Sequence, residues 1–327
     1  MYSAENLTGK VGFSHNHSKT RDRTSMVKKV LSIQSHVVHG YVGNKAATFP
    51  LQYRGWDVDA LNTVQFSNHP AYGHFTGFKS KAQELRDIIE KGLLQGLELK
   101  YDAVLTGYLP DVDGLKAISE TVSRLCESDT SIKWVVDPVL GDNGKLYVPE
   151  ETVPIYRKIL ECGSVFLTTP NQFEMETLTG VKITDYASLR SSLIKFHQLY
   201  PTVKYVIVTS VVLPNLSDHY ITACSDTETE TFHYFQVPKI DALFSGSGDL
   251  FSALVMDAVL DGTSVSLTLK VNKVLSLVDS ILQRTYDLTK RCPGNDARPI
   301  KINDLKLIES RDILKDEVEP RFTALKL

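Results

Sequence analysis

From Val30 onward, short β-branched or apolar runs alternate with longer segments of helical periodicity. Helical segments such as 82–94 and 114–126 lie between the runs. Strands joined through helices pair in parallel by right-handed crossovers. The alternation therefore predicts an α/β fold whose mostly parallel central sheet carries helices on both faces. The runs predicted as strands are 30–33, 58–64, 103–106, 134–137, 164–167 and 205–209.

The alternation of predicted strands with helices changes after Thr209. Residues 219–223 and 231–237 have the alternation of an antiparallel hairpin, and two helices are predicted at 248–260 and 264–287. The chain has no internal repeat or low-complexity linker, so residues 28–327 are predicted to form a single domain, with a lid or edge element near 39–75. Residues 1–27 are polar, without the apolar stretch of a secretory signal, and are predicted to be a disordered tail.

Composition excludes several classes of protein. A net charge of −3 does not suit a broad nucleic-acid surface, which needs clustered Lys and Arg. No apolar run approaches the roughly 18–20 residues of a membrane span. The four cysteines, Cys126, Cys162, Cys224 and Cys292, form no C-x-x-C pair, which disfavours a zinc site or a disulfide framework and fits a reducing compartment.

Polar or glycine-rich segments follow five of the predicted strands. They are "QSHVVHGYVGN", "TGYLPD", "DPVLGDNG", "TPNQFE" and "TS". In open parallel sheets, ligands bind outside the carboxyl ends of the strands. The five segments together indicate a site there.

"GSGD" opens a helix that is apolar nearly all round, with only Ser252 and Asp257 polar between Leu250 and Leu260. Such a helix is buried, and its unsatisfied N–H groups suit an anion. Asp249 beside that anion could accept a proton from a hydroxyl group. The alternative is that Asp249 caps the helix and the glycines only form a turn.

The other segments also allow two interpretations. Asp137 and Asp142 could bind Mg²⁺ through their carboxylates. Alternatively, they could cap backbone groups in a Pro/Gly turn. Asn171 and Glu174 could reach one metal or phosphate, or could form a capping box, with Thr169 as a second N-cap candidate. His36 and His39 lack a third ligand for zinc. The dinucleotide fingerprint, the Walker A lysine motif and H-E-x-x-H are missing from the sequence.

Seven ordered motifs between Val30 and Arg284 resemble those of the pyridoxal kinases of the ribokinase superfamily. They are "VLSIQSHVVHGYVGNKAATFPLQ", "VQFSNH", "YDAVLTGY", "DPVLGD", "YVPE", "TPNQFE" and "FSGSGDLF". The resemblance implies a ribokinase-like three-layer α/β/α sandwich. It also implies ATP-dependent phosphorylation of the 5′-hydroxymethyl group of pyridoxal, pyridoxine and pyridoxamine. The implied cofactors are ATP, Mg²⁺ or another divalent cation, and K⁺ or Na⁺. A homodimer in the cytoplasm, with the nucleus as a second location, is expected, with neither nucleic acid nor membrane as a partner.

The resemblance also assigns roles to residues. Asp249 is the implied general base, and Gly246, Ser247 and Gly248 form the anion hole and contact ATP. The residues implied on the vitamer side are Ser35, His69, Tyr108 and Tyr147, together with Asp249. Those implied for ATP are Asp137, Asn171, Thr209, Ser210 and Ile240. Those implied for the metal ions are Asp137, Asp142, Thr169 and Glu174.

Two positions depart from the family pattern. Ser247 stands where relatives carry Ala or Thr, which leaves the backbone amide of the anion hole unchanged. Pro70 stands where relatives often carry Thr, which removes a hydroxyl contact and bears on vitamer preference. The alternatives are a hydroxymethylpyrimidine or sugar kinase, and a catalytically silent protein that binds pyridoxal phosphate. Ser35 with His36 suits an aromatic nitrogen heterocycle better than a polyol.

Overall fold

The computed structural model describes residues 27–290, 299–315 and 318–327. The predicted tail, apart from Val27, and Cys292 lie outside these residues. The described strands are β1 (Lys29–Val37), β2 (Asp57–Phe66), β3 (Gly77–Lys79), β4 (Ala103–Thr106), β5 (Lys133–Val136), β6 (Gly141–Asp142), β7 (Lys145–Leu146), β8 (Val165–Thr168), β9 (Tyr205–Val211), β10 (His219–Asp226), β11 (Thr231–Pro238), β12 (Ala242–Phe244), β13 (Ile300–Ile302) and β14 (Leu325–Lys326).

Helices connect most of these strands. They are α1 (Asn44–Tyr53), α2 (Ala82–Asp87), α3 (Val112–Ser128), α4 (Thr152–Glu161), α5 (Gln172–Thr179), α6 (Tyr186–Leu199), α7 (Ser247–Val259), α8 (Leu267–Lys290) and α9 (Arg311–Lys315). The predicted helix 82–94 is α2 followed by π-helical turns over Ile88–Gly96. The predicted lid or edge region contains a 3₁₀ turn, Pro70–Tyr72, shortly before β3.

The central sheet has the order β14-β11-β10-β9-β8-β5-β4-β1-β2-β3 within the described residues. From β9 to β2 its neighbours are parallel, whereas β10, β11, β14 and β3 pair antiparallel. The six predicted parallel strands and the hairpin are confirmed, with ends that differ by a few residues. The carboxyl ends of the parallel strands therefore meet along one edge, as the sequence predicts.

Each face of the sheet has its own hydrophobic core. Leu31 and Ile33 of β1 pack on the side of α2 to α6, whereas Val30 of the same strand packs on the side of α1, α7, α8 and α9. The alternation of side chains along one strand thus supplies both cores. The result is the expected three-layer α/β/α sandwich with a mostly parallel sheet.

Two expectations from composition bear on the fold. Cys126, Cys162 and Cys224 are free thiols in the described residues. None of the described helices combines the length and the apolar character that crossing a membrane requires.

Candidate active site

A cavity of about 660 Å³ opens at the carboxyl ends of the parallel strands. It is lined by nearly all the residues that the sequence predicts for the site, drawn from segments far apart in the chain. The predicted residues that line it are Ser35, His69, Tyr108, Asp137, Asp142, Tyr147, Thr169, Asn171, Glu174, Thr209, Ser210, Gly246, Ser247, Gly248 and Asp249.

Ile240, His36 and His39 lie outside this lining. Ile240 packs on the small cluster of Ala242, Ile300 and Ile302 instead. His36 follows Ser35 in β1 but does not line the cavity that Ser35 lines. The prediction that His36 acts with Ser35 on a heterocycle is therefore not supported by the geometry.

The start of α7 forms the floor of the cavity. Gly246 is the N-cap residue, with a φ of 83° that glycine adopts readily. Its carbonyl accepts the Leu250 N–H at 3.1 Å, so the alternative in which Asp249 caps the helix is wrong. As the N-cap residue, Gly246 has no side chain that could accept a hydrogen bond from the N–H groups at the helix start. These N–H groups face the cavity with the positive end of the helix dipole.

Asp249 lies at this helix start with its carboxylate held by the loop after β1. The Gly43 N–H donates to the carboxylate, while burial among protein atoms raises the Asp249 pKa to about 6. Gly43 has a φ of 53°, and a Cβ at that position would lie 2.2 Å from the Ser35 carbonyl oxygen. The loop therefore needs glycine here to bring its N–H to Asp249. Sequence reasoning missed Gly43, although the motif that contains it was recognised.

A buried chain of hydrogen bonds connects the ends of β5 and β8 to α7. Ser252 Oγ donates to Asp137 Oδ2 at 2.9 Å and lies 2.8 Å from Thr169 Oγ1. Burial raises the Asp137 pKa, and the negative charge of Asp249 raises it further. Ser252 was also missed as a site residue, and its signal was a lone hydroxyl in an apolar helix.

Glu174 and Asn171 form the capping box that the sequence allowed. Asn171 Oδ1 accepts the Glu174 N–H at 2.9 Å, and Glu174 Oε2 accepts the Asn171 N–H at 2.8 Å. Glu174 Oε1 also accepts the Leu140 N–H at 2.9 Å. Burial and the nearby charge of Asp137 raise the Glu174 pKa. Glu174 thus fixes the loop after β5 while remaining in the cavity wall.

Asp142 sits in the β6–β7 hairpin at the edge of the cavity. Its Oδ1 accepts the Asn143 N–H at 2.7 Å, which supports the alternative of a turn cap. Tyr147, just after this hairpin, is 58% exposed, so its side chain is open to solvent at the cavity mouth. At the end of β9, Ser210 has a φ of 56°, a conformation that non-glycine residues seldom adopt.

Carboxylates at this site suit a divalent cation bound with the help of a phosphate ligand. No cluster of three His, Cys, Asp or Glu side chains is placed to hold a metal ion among the described residues. Mg²⁺ commonly takes only one or two carboxylates and completes its shell with water and substrate phosphates. The charge of Asp137 raises the Glu174 pKa, the charge of Asp249 raises the Asp137 pKa, and a cation bound among these carboxylates would relieve the repulsion.

Comparison with known proteins decides the family. Residues 79–290 match the family described as phosphomethylpyrimidine kinase. Human pyridoxal kinase is 36% identical over 311 residues, covering 91% of this chain and 98% of its own length. The chain belongs to the pyridoxal kinase family.

Other members of the pyridoxal kinase family are similar to this chain in sequence and in structure. The Saccharomyces cerevisiae relative BUD17 is 54% identical over 299 residues, covering 90% of this chain and 94% of its own length. The pyridoxal kinase of Leishmania donovani, solved with ADP and pyridoxamine, has a TM-score of 0.77 and 32% identity. That match covers 91% of this chain and 99% of the Leishmania chain. The predicted recognition and the predicted kinase class are confirmed.

Proposed function

We propose that this chain transfers the γ-phosphoryl group of ATP to the 5′-hydroxymethyl group of pyridoxal, pyridoxine and pyridoxamine. The observation that carries the proposal is Asp249, a carboxylate of raised pKa beside the free N–H groups that open α7. A proton acceptor next to an anion site is what transfer of a phosphoryl group to an alcohol requires. The Leishmania relative, solved with ADP and pyridoxamine, supports this choice of substrates.

The reaction exchanges one P–O bond for another. The vitamer's hydroxyl oxygen bonds to the γ-phosphorus as the bond to the β,γ-bridging oxygen breaks, and ADP leaves. Asp249 takes the hydroxyl proton. The amides of Ser247 and Gly248 face the negative charge on the transferred group, where oriented N–H donors are most effective. In this scheme Ser35, His69, Tyr108 and Tyr147 bind the vitamer.

The nucleotide and its cations would occupy the other half of the cavity. We assign Asn171, Thr209 and Ser210 to ATP, and the metal-binding role to Asp137, Asp142, Thr169 and Glu174. Mg²⁺ would offset the charge of the ATP phosphates when bound. A monovalent cation, K⁺ or Na⁺, belongs to the same proposal. Omission of each cation in turn from the activity assay tests these assignments.

The decisive experiment offers the purified protein Mg-ATP with pyridoxal, pyridoxine or pyridoxamine and follows formation of each 5′-phosphate. The family description at residues 79–290 names a pyrimidine substrate, so a hydroxymethylpyrimidine is included as a fourth acceptor. Product from the vitamers alone supports the proposal. Product from the pyrimidine alone replaces it. Binding of the vitamers without any product supports the catalytically silent alternative.

The assembly and location of the protein are part of the same proposal. We assign a homodimer in the cytoplasm, with the nucleus as a second location, and with no nucleic acid or membrane as partner. Sedimentation equilibrium gives the oligomeric state directly, and imaging of a tagged chain gives its location. A monomer at all concentrations, or a protein confined to another compartment, contradicts these assignments.

A further inference from the structure

Asp304 joins two loops that wall the vitamer side of the cavity. Tyr72 Oη donates a hydrogen bond to Asp304 Oδ2, and His39 Nε2 lies 3.5 Å from the same oxygen. The rings of His39 and Tyr72 also meet edge to face, with centroids 6.1 Å apart. Tyr72 ends the turn whose Pro70 and Ala71 line the cavity. His39 lies in the loop after β1 that continues to Gly43.

The packing around Asp304 leaves little room for adjustment. A Cβ on Gly40, whose φ is 96°, would lie 2.1 Å from Asp304 Oδ1. The loop after β1 therefore approaches the carboxylate more closely than any residue with a side chain could. Lys301 Nζ donates to the Ala71 carbonyl oxygen at 2.5 Å, which makes a second connection from this C-terminal segment to the same turn.

The segment that carries Asp304 also supports the start of α7. Strand β13 pairs in parallel with β12, which leads into the Gly246 turn, and the Ser245 N–H donates to the Ile302 carbonyl at 3.0 Å. The Tyr41 carbonyl oxygen lies against the turn, where a Cβ on Gly246 would be 2.1 Å from it. One short strand thus sets the positions of both cavity walls relative to Asp249.

We infer that Asp304 is a positioning residue for the vitamer. Through Tyr72 and His39, it holds the loop after β1 and the turn 70–72 so that the hydroxymethyl group faces Asp249. Asp304 lies outside the cavity lining, so it acts through these two side chains and not by contact with substrate. This inference rests on the proposed vitamer substrates.

The test compares three single variants and one double variant. Tyr72→Phe removes only the hydroxyl, Asp304→Asn removes the charge, and Tyr72→Phe with Asp304→Asn tests whether the two act together. Tyr101→Phe is the matched control, because Tyr101 Oη donates to Asp59 Oδ2 at 2.8 Å near the amino ends of the strands, away from the cavity. Each variant is characterised by its KM for pyridoxine, its KM for ATP, and pyridoxine binding by calorimetry without ATP.

Tyr72→Phe and Asp304→Asn are expected to raise the pyridoxine KM and Kd about five- to tenfold, which is less than the full value of a hydrogen bond to a charged acceptor because the contact acts on the vitamer only through the loops. The ATP KM is expected to stay unchanged, and the double variant to be no worse than the more affected single variant. Tyr101→Phe should leave both KM values unchanged. Unchanged pyridoxine constants in Tyr72→Phe, or an equal rise in the ATP KM, overturn the inference, even if Asp304→Asn does not fold.

The binding measurement separates this inference from the proposed function. If the wild-type chain binds pyridoxine but does not phosphorylate it, the proposed function fails, and the Kd values of the variants still decide the role of Asp304. If the wild-type chain neither binds nor phosphorylates pyridoxine, both are overturned.

Discussion

The buried carboxylate of Asp249, the general base of the proposed reaction, carries a cost to stability. Its pKa is raised to about 6, mainly by burial, so the folded protein holds a charge that would be better solvated in the unfolded chain. A group whose folded pKa is raised stabilises the fold only below its unfolded pKa, and this contribution is lost as pH rises through the folded pKa. At neutral pH, the carboxylate is therefore a source of instability that the function retains.

Replacement of Asp249 by Asn should separate these two effects. We expect kcat to fall by about 10²–10⁴-fold, the usual contribution of a positioned base, with ATP binding nearly unchanged. The same variant should have a higher Tm at pH 7, because the buried charge is gone and the amide oxygen can still accept the Gly43 N–H. Steady-state kinetics, nucleotide titration and thermal melts give the three values. Turnover equal to that of the wild-type protein would remove Asp249 from its role.

The pH dependence of the reaction should follow the same carboxylate. A base must be deprotonated to act, so kcat/KM for the vitamer is expected to fall as pH drops through about 6. The charge of Asp249 also raises the Asp137 pKa, so the acid limb belongs to the pair and not to one residue. A rate profile between pH 4.5 and 8 measures it. A profile that stays level down to pH 4.5 contradicts the raised pKa.

Individual residues differed in how clearly the sequence marked them. Asp249 could be found because a carboxylate and two glycines open an apolar helix. Gly43 could be found only in part, since its role depends on packing so close to Ser35 that a Cβ would lie 2.2 Å from the Ser35 carbonyl oxygen, and no spacing encodes that contact. Ile240, assigned from resemblance alone, lies outside the cavity lining. Resemblance transfers a role by position, whereas the direction of a side chain depends on local packing.

At the scale of elements, the two glycines at the start of α7 differ in whether the fold requires them. Gly246 has a positive φ and lies against the Tyr41 carbonyl, so the fold itself requires it. Gly248 lies inside the helix, and a Cβ there would meet nothing closer than Asp137 Oδ2 at 4.0 Å. The protein has room for a side chain at Gly248, so its absence is best explained by a ligand.

Two alanine substitutions should therefore have opposite effects. Gly248→Ala is expected to raise stability by about 0.4–1 kcal/mol, through lower entropy of the unfolded chain, while turnover falls about 10²-fold because the methyl group displaces the phosphoryl group. Gly246→Ala, the control, should lose about 1–3 kcal/mol or more of stability through strain. Urea denaturation and kinetics measure both. Full activity in Gly248→Ala would show that the phosphoryl group lies elsewhere.

Elements with strong periodicity could be predicted, and short ones could not. The parallel strands were recognised by β-branched runs, and the hairpin of β10 and β11 by its alternation. The three-residue strands β3, β12 and β13 and the two-residue strand β14 are too short to show any period. They form because a neighbouring edge offers backbone partners, as β12 does for β13. That information is tertiary and is absent from any short window of sequence.

For the whole molecule, the sequence predicted where the site lies but not what holds it together. Parallel pairing brings the strand ends to one edge, so their polar segments had to converge. The link from Asp304 to Tyr72 spans 232 positions along the chain and joins residues that no motif connects. The site is thus assembled from segments that are far apart in the chain, and the segment that follows β13 connects to one of them through Asp304.

Such a site predicts a single cooperative unfolding transition for residues 28–327, which sequence analysis takes to be one domain. A non-hydrolysable ATP analogue at about 100 times its Kd should add about 2.7 kcal/mol of stability. The Tm should then rise by several degrees in one step, because the cavity draws on strand ends along the whole parallel region of the sheet. Differential scanning calorimetry with and without the analogue measures this shift. Two transitions, of which only one moves, would mean that the C-terminal segment and the sheet unfold separately, and that Asp304 cannot hold the cavity walls as one unit.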